Sequence, residues 1–287
     1  LDLKLDFNYL SLISSPNEKN LTFIDEEKYL HNLENSYCFK YVLIDDKFLK
    51  KIQNKFLQNF VTVKEPRLVY FQVLNKINNE FNSKKSQSKN VIHSSARILS
   101  SIPENADIRI GANTLIEKNT IIHPGTYIGE NCKIGPFCVI GEQGYEVKRF
   151  NGGSIRIEHS GNTTIGDFVD INSFTSVHKA VYKDESTSIG SYTKIDSHVH
   201  IGHGNKIGCN NLICSHANIS GNTIIKDRTY IGPGANIPNR LLIEDGSRVL
   251  VGSTVTKNIA ENSTVSGNFA IDHSKHLKSV KDSSKQG

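Results

Sequence analysis

Histidine is the side chain best suited to move a proton near neutral pH, because its unperturbed pKa lies near 6.5. Three of the histidines, His198, His200 and His203, crowd into one short segment, KIDSHVHIGHGNKIG (Lys194–Gly208). Two chemistries are open to them. A neutral imidazole such as His203 can act as a general base and take a proton from an attacking nucleophile. Alternatively His198 and His203, with a third ligand such as His178, could hold zinc, which needs a defined geometry that spacing alone does not supply. An ordinary solvated surface ring is the plain reading of each, and His200 fits it best. Cys209 and Cys214 carry no mark of a nucleophile.

The element that positions these residues is a repeat. Ile110, Ile116, Ile122, Ile128, Ile134 and Ile140 recur every six residues. The register returns at Ile165, Ile171 and Val177, then runs from Ile189 through Ile243 to Val249 and Val255. Two places before many of them stands a small or β-branched residue, such as Thr114, Thr120, Thr163, Thr193 or Thr223, and Cys132 and Cys138 share that slot. A period of six fits neither an α-helix nor a simple alternating sheet. It fits a triangular coil of three short flat strands, the large aliphatic residue on the axis, the small one near a corner, and Gly, Asn or Asp at the turns. Stacked at roughly 4.8 Å, such coils build a left-handed parallel β-helix, with some other β-solenoid as the alternative. The fold class expected is therefore mainly β, with a small N-terminal α/β domain and a short C-terminal helix.

Two stretches break the phase, 141–160 (GEQGYEVKRFNGGSIRIEHS) and 182–185, where Lys183 falls on an inward slot. Insertions in solenoids become loops, commonly on the functional face. His203 lies two places after the inward Ile201, at a corner, and Gly221 occupies the same corner one coil away. A base on one coil and a backbone N–H on the next could bracket one carbonyl carbon, and glycine allows a close approach. The plain reading of Gly221 is a corner glycine with positive φ.

Residues 1–82 carry no hexads. VLIDD and FVTV read as strands and LVYFQVLNKIN as a helix, giving a small α/β domain. Residues 83–90 read as a polar linker, 91–265 as the β-helix, and 266–287 as a C-terminal helix and tail. The formal charge of +5 is spread along the chain, which suits an anionic small molecule and argues against nucleic acid. No apolar run is long enough to span a membrane. The N-terminus lacks a signal-peptide pattern, and the five cysteines have no paired spacing, so a reducing cytoplasm is expected. Methionine is absent, so Leu1 is read as not the first translated residue.

Within this repeat, the Lys194–Gly208 segment resembles the signature of the UDP-3-O-acylglucosamine N-acyltransferases of lipid A synthesis. LTFIDEEKYL (Leu21–Leu30) resembles the start of that family's nucleotide-binding domain, EQGY its Gly-aromatic loop, and SGNFA its stretch before the C-terminal helix. The resemblance implies His203 as general base, with Asp196 matching the family's aspartate seven residues earlier. It implies Gly221 as the oxyanion donor, Phe23 and Tyr29 as the pair that holds the base ring, and Lys28 as a phosphate contact. Tyr145 matches the loop aromatic. The family's second active-site His falls on Arg240, its Asp-Arg pair on His178 and Lys179, its Asn after the aspartate on Ser197, the Asn between the two aromatics on Glu26, and a Pro near the end on Phe269. These differences at sugar- and acyl-facing positions point to a relative acting on another nucleotide-linked amino sugar for surface glycan synthesis as readily as to lipid A itself.

The partners so implied are a nucleotide-linked amino sugar and a thioester on acyl carrier protein or coenzyme A, with no bound cofactor and no metal. A homotrimer is expected, because flat-sided prisms pack readily around a three-fold axis. Two other classes stay open. One is a trimeric β-helical zinc enzyme of carbonic anhydrase type. The other is a non-catalytic solenoid scaffold, in which Phe23 and Tyr29 are plain core aromatics.

Overall fold

The computed structural model describes residues 9–10, 20–30, 39–52, 59–267 and 281–282. From Val91 onward the chain winds as a left-handed parallel β-helix with three faces, made of eight, nine and six short strands. Aliphatic residues stack in register through the interior. One column pairs Ile116, Ile134, Ile171, Ile195, Ile213, Ile231 and Val249 in turn. All of them are buried. Each such side chain contributes roughly 1.5–3 kcal/mol by leaving water, so the axial columns form one continuous core.

The small slot has a second job. Thr114 and Thr120 donate their hydroxyls to the carbonyls of Gly129 and Gly135 (2.7 and 2.6 Å) and accept the N–H groups of Cys132 and Cys138. Asn205 takes the same part, accepting the Thr223 N–H at 2.7 Å. Turning the chain inside a dry prism orphans backbone groups, and these short polar side chains satisfy them. Cys132 and Cys138 fill the slot as packing residues, and burial pushes both thiols up.

The corners depart from expectation. Left-handed φ values fall on Asn113, Asn131 and Asn222, as turn chemistry predicts, but also on Phe137, Phe168, Phe174, Tyr192, His198, His216 and Arg240. A ring in that conformation is disfavoured. Here the rings stack on one another along the corner: Phe137 on Phe174 at 5.1 Å, Phe174 on His198 at 4.9 Å, and His198 on His216 at 4.8 Å.

The N-terminal unit is a four-stranded parallel sheet (Tyr9–Leu10, Asn20–Ile24, Phe39–Ile44, Phe60–Thr62). A long helix, Pro66–Lys85, follows it. The helix runs into the segment read as a linker, and Lys85 at its end is buried. Asn75, Asn78, Asn82 and Lys85 recur at three- and four-residue steps and share one helix face. That face is hydrogen-bonded to the first insertion. Asn75 donates to the Arg156 carbonyl and accepts the Glu158 N–H. Asn78 donates to the carbonyls of Glu158 and Val181 and accepts the Ser160 hydroxyl. Asn82 donates to the His159 carbonyl. Lys85 donates to the carbonyls of Ser160 and Gly161 and to the Asn162 side chain.

Held this way, the insertion forms an antiparallel hairpin, Val147–Phe150 with Gly153–Arg156. Ile157 and Val181 join Leu21, Leu43, Tyr70, Phe71 and Leu74 in one core. Lys183 does not point inward. Its ammonium lies 5.5 Å from the Phe81 ring on the long helix, because the chain around it leaves the prism to meet the N-terminal unit. The expected C-terminal helix, with Phe269, lies outside the described residues apart from Lys281 and Asp282, which are helical.

Asn78 is 1% exposed and serves three groups. Asn78→Ala leaves the Glu158 carbonyl and the Ser160 hydroxyl unpartnered, while the Val181 carbonyl keeps the Ser160 N–H, at about 1–3 kcal/mol for each buried group left unsatisfied. Urea unfolding should show a loss of about 2–4 kcal/mol, against about 1 kcal/mol or less for the outer Asn75→Ala.

Candidate functional site

His203 follows the strand His200–Ile201, where the third face turns into the first. The hairpin insertion leaves the prism at the same corner, after the strand Val139–Glu142. The hairpin and the N-terminal unit are thereby drawn over His203. One cleft results, lined by Phe23, Asp25, Tyr29 and Arg67 from the N-terminal unit, Glu146 and Lys148 from the hairpin, and His203, Asn222 and Arg240 from the corner. Phe23 is both wall and core, packing on Tyr70 at 4.9 Å while it faces the cleft.

The partner of His203 is not the expected aspartate. Its Nε2 lies 3.2 Å from Oε2 of Glu146. Lys148 pairs with the same carboxylate. Burial opposes ionisation of Glu146, but the hydrogen bonds from His203 and Lys148 outweigh it and hold the carboxyl at about 2. A carboxylate only accepts, so a neutral His203 carries its proton on Nε2 in this arrangement. Nδ1 of His203 is buried and has no hydrogen-bond partner.

Other imidazoles crowd in behind. His159 meets His203 edge to face at 5.2 Å, and His178 meets His200 at 4.7 Å. Gly144 sits among them. A Cβ there would come within 3.0–3.3 Å of the rings of His159, His178 and His203. Burial pushes His159 and His178 down to about 4 each. The Nδ1 of His159 lies between the Gly144 N–H (3.3 Å) and the Lys179 carbonyl (3.2 Å), and one nitrogen serves only one of them.

Gly221 lies directly beneath His203. Its φ is not in the left-handed region; Asn222 takes that conformation instead. What excludes a side chain is the imidazole, since a Cβ would stand 2.7 Å from both Cε1 and Nε2. Corner strain is therefore not why glycine is there.

The remaining expected residues scatter. Asp196 and Ser197 lie between the second and third faces, on another corner of the prism. There Asp196 accepts from Asn172 and from the Ser197 N–H, which hold its carboxyl down. Tyr145 is 81% exposed and points away from the cleft its neighbour Glu146 enters. Lys28 pairs with Glu26 and lies over the Tyr29 ring at the exposed rim. His178 stands behind His203, and Lys179 reaches Asn82 at 3.4 Å. Sequence reasoning missed Glu146, Lys148 and Arg67. The alternation of Glu146 and Lys148 was the available signal, because a strand puts i and i+2 on one face.

His198, His200 and His203 do not converge. His198 joins the corner stack and His200 the His178 pair. Among the described residues, no group of three or more His, Cys, Asp or Glu side chains is arranged to hold a metal ion. Among them, too, no helix is long and apolar enough to cross a membrane.

Residues 107–142 match the family model of the bacterial transferase hexapeptide, six repeats. Among curated protein sequences none matches. Among solved structures, the chain is similar to the UDP-N-acetylglucosamine acyltransferase of Francisella novicida, with 23% identity over 67% of this chain and 71% of that one and a TM-score of 0.52. It is also similar to the UDP-N-acetylglucosamine O-acyltransferase of Moraxella catarrhalis (24% identity, 67% and 76% covered, TM-score 0.43). LpxA of Acinetobacter baumannii gives 24% identity, the same coverage and a TM-score of 0.46. The Francisella structure shares the fold.

The buried imidazoles set an acid limit. A ring whose folded pKa lies below its unfolded value of about 6.5 favours proton binding by the unfolded chain, so stability falls as pH drops from about 6.5 towards 4. One ring moved to about 4 accounts for about 3 kcal/mol over that window. The melting temperature should fall steadily between pH 7 and pH 4.5, and His159→Gln should flatten that slope.

Proposed function

We propose that this protein transfers an acyl group from a thioester to the amine of a nucleotide-linked amino sugar. The observation that carries the reading is one cleft that holds both the Phe23–Tyr29 pair and His203. An aromatic pair offers faces on which a base ring stacks. An imidazole at the other side of the same cleft can take a proton from an amine. Arg240 offers a cation to a diphosphate, with Arg67, held 3.7 Å from Asp25, lining the same cleft. The match to a transferase repeat and the fold shared with an acyltransferase agree with this reading.

His203 is the base, and the N–H of Gly221 one coil on faces the oxygen on which charge develops. The donor is carried on acyl carrier protein or coenzyme A. No resident cofactor or metal is required, and the product enters lipid A or another surface glycan in the cytoplasm. The working assembly is a homotrimer. Asp196 and Ser197, on the other corner, then serve a neighbour's site rather than their own, with the exposed Tyr145 and the inner His178 and Lys179 shaping the approach. Lys28 guards the nucleotide rim.

Purified protein incubated with nucleotide amino sugars and acyl donors should yield a mass-shifted N-acyl product. His203→Ala should lower kcat by roughly 10²–10⁴ with the oligomer intact. Activity within a few-fold of wild type would remove His203 as the base. Phe23→Ala with Tyr29→Ala should raise KM for the sugar nucleotide, at about 1–3 kcal/mol per stacked base, and leave KM for the donor nearly unchanged. Gly221→Ala, whose methyl must displace the His203 ring, should lose most of its kcat at a near-normal melting temperature.

A further inference from the structure

We propose that Glu146 is a catalytic carboxylate that receives the substrate's ammonium beside His203 and so commits this cleft to amines rather than hydroxyls. The inference rests on the reading of the cleft as an amino-sugar site and adds the group that selects the acceptor.

The geometry supports it at each atom. Nδ1 of His203 is buried and unpartnered, so proton exchange with the cleft runs through Nε2. Glu146 stands at that nitrogen, 3.2 Å away, and lines the same cleft. Lys148, on the same face of the hairpin strand, pairs with the carboxylate and keeps it charged. Glu146 belongs to the insertion, not to the solenoid, and the asparagine face of the long helix fixes where that insertion lies. A partly buried anion beside a base suits a cationic acceptor, since charge-assisted hydrogen bonds are the strong ones. A sugar hydroxyl brings no charge and gains no ion pair there.

The proton and bond changes balance. When the ammonium takes the place of Nε2–H as the donor to Glu146, the ring changes to its Nδ1–H tautomer; the ammonium then donates one N–H to Glu146 and passes one proton to the freed Nε2. The imidazolium so formed is offset by Glu146. The freed amine forms a C–N bond at the thioester carbonyl carbon. The adduct releases its surplus N–H proton to water. The C–S bond then breaks, and the departing sulfur takes the proton held by His203. The products are an amide, a thiol and one proton.

The test is binding, which needs no turnover. UDP- and dTDP-sugars bearing an amine at C2, C3 or C4 are compared by calorimetry at pH 7 with their hydroxyl counterparts. Wild type should prefer the best amino sugar over its hydroxyl twin by at least about tenfold, the scale of one charge-assisted hydrogen bond. Glu146→Gln should bind both members of that pair alike. Because Glu146→Gln leaves Lys148 without its carboxylate, the double variant Glu146→Gln with Lys148→Met is run beside it and should lose the preference too. Equal binding of the pair by wild type, or a preference that survives in both variants, overturns the role of Glu146 while the nucleotide-sugar reading stands. Binding of neither member of any pair by wild type overturns the nucleotide-sugar reading, and this proposal with it.

Discussion

The arrangement of the cleft depends on one polar face of one helix. Asn75, Asn78, Asn82 and Lys85 hold backbone groups between residues 156 and 161, the Asn162 side chain and the Val181 carbonyl. An irregular inserted chain has backbone donors and acceptors that no strand ladder satisfies, and burying them unpaired is costly. The helix supplies those partners in a row. In return the insertion gives the N-terminal sheet the apolar surface, Ile157 and Val181, that closes its core. Two units with separate folds become one surface, and Phe23 faces the same space as His203 only because of it.

That dependence also explains what the sequence could and could not reveal. The six-residue phase is a direct imprint of three flat faces, and Ile110 through Val249 fall inward as the periodicity says. His203 and its corner follow from counting. Glu146 does not, because its meeting with His203 is set by an insertion whose course no repeat dictates. Nothing in the sequence marks the asparagines of the helix, and Lys85 falls in the stretch read as a linker, since burial against an irregular partner leaves no period to read. Asp196 shows the converse: seven residues from His203 in sequence, it turns a different corner of the prism. The aromatic corners were hidden for a third reason. Turn propensity favours Asn and Gly one residue at a time, whereas Phe174 and His198 are held by rings one coil above and below.

The electrostatic character of the cleft follows from the same burial. His159 and His178 are kept neutral by desolvation, so the rings behind His203 add bulk without adding charge. The ionised groups stand in front, where Glu146 pairs with Lys148 and Asp25 with Arg67, and Arg240 faces the same cleft. A proton gained by His203 therefore meets a carboxylate on one side and uncharged rings on the other. That asymmetry is what a transient imidazolium requires.

The inserted chain marks the stack only by a one-residue bulge at Gly141, where it leaves the coil. Ile128 pairs with Ile165 and Ile140 with Val177 on either side of the detour. A coil re-enters its ladder wherever the excursion ends, so the corner tolerates any length of detour that returns to the same edge. Shape and chemistry are then inherited separately in this architecture. Two such solenoids could match coil for coil and act on different molecules, or carry the same hairpin on stacks of different height. Kinship in this group of folds is better traced through what leaves the corners than through the coils themselves.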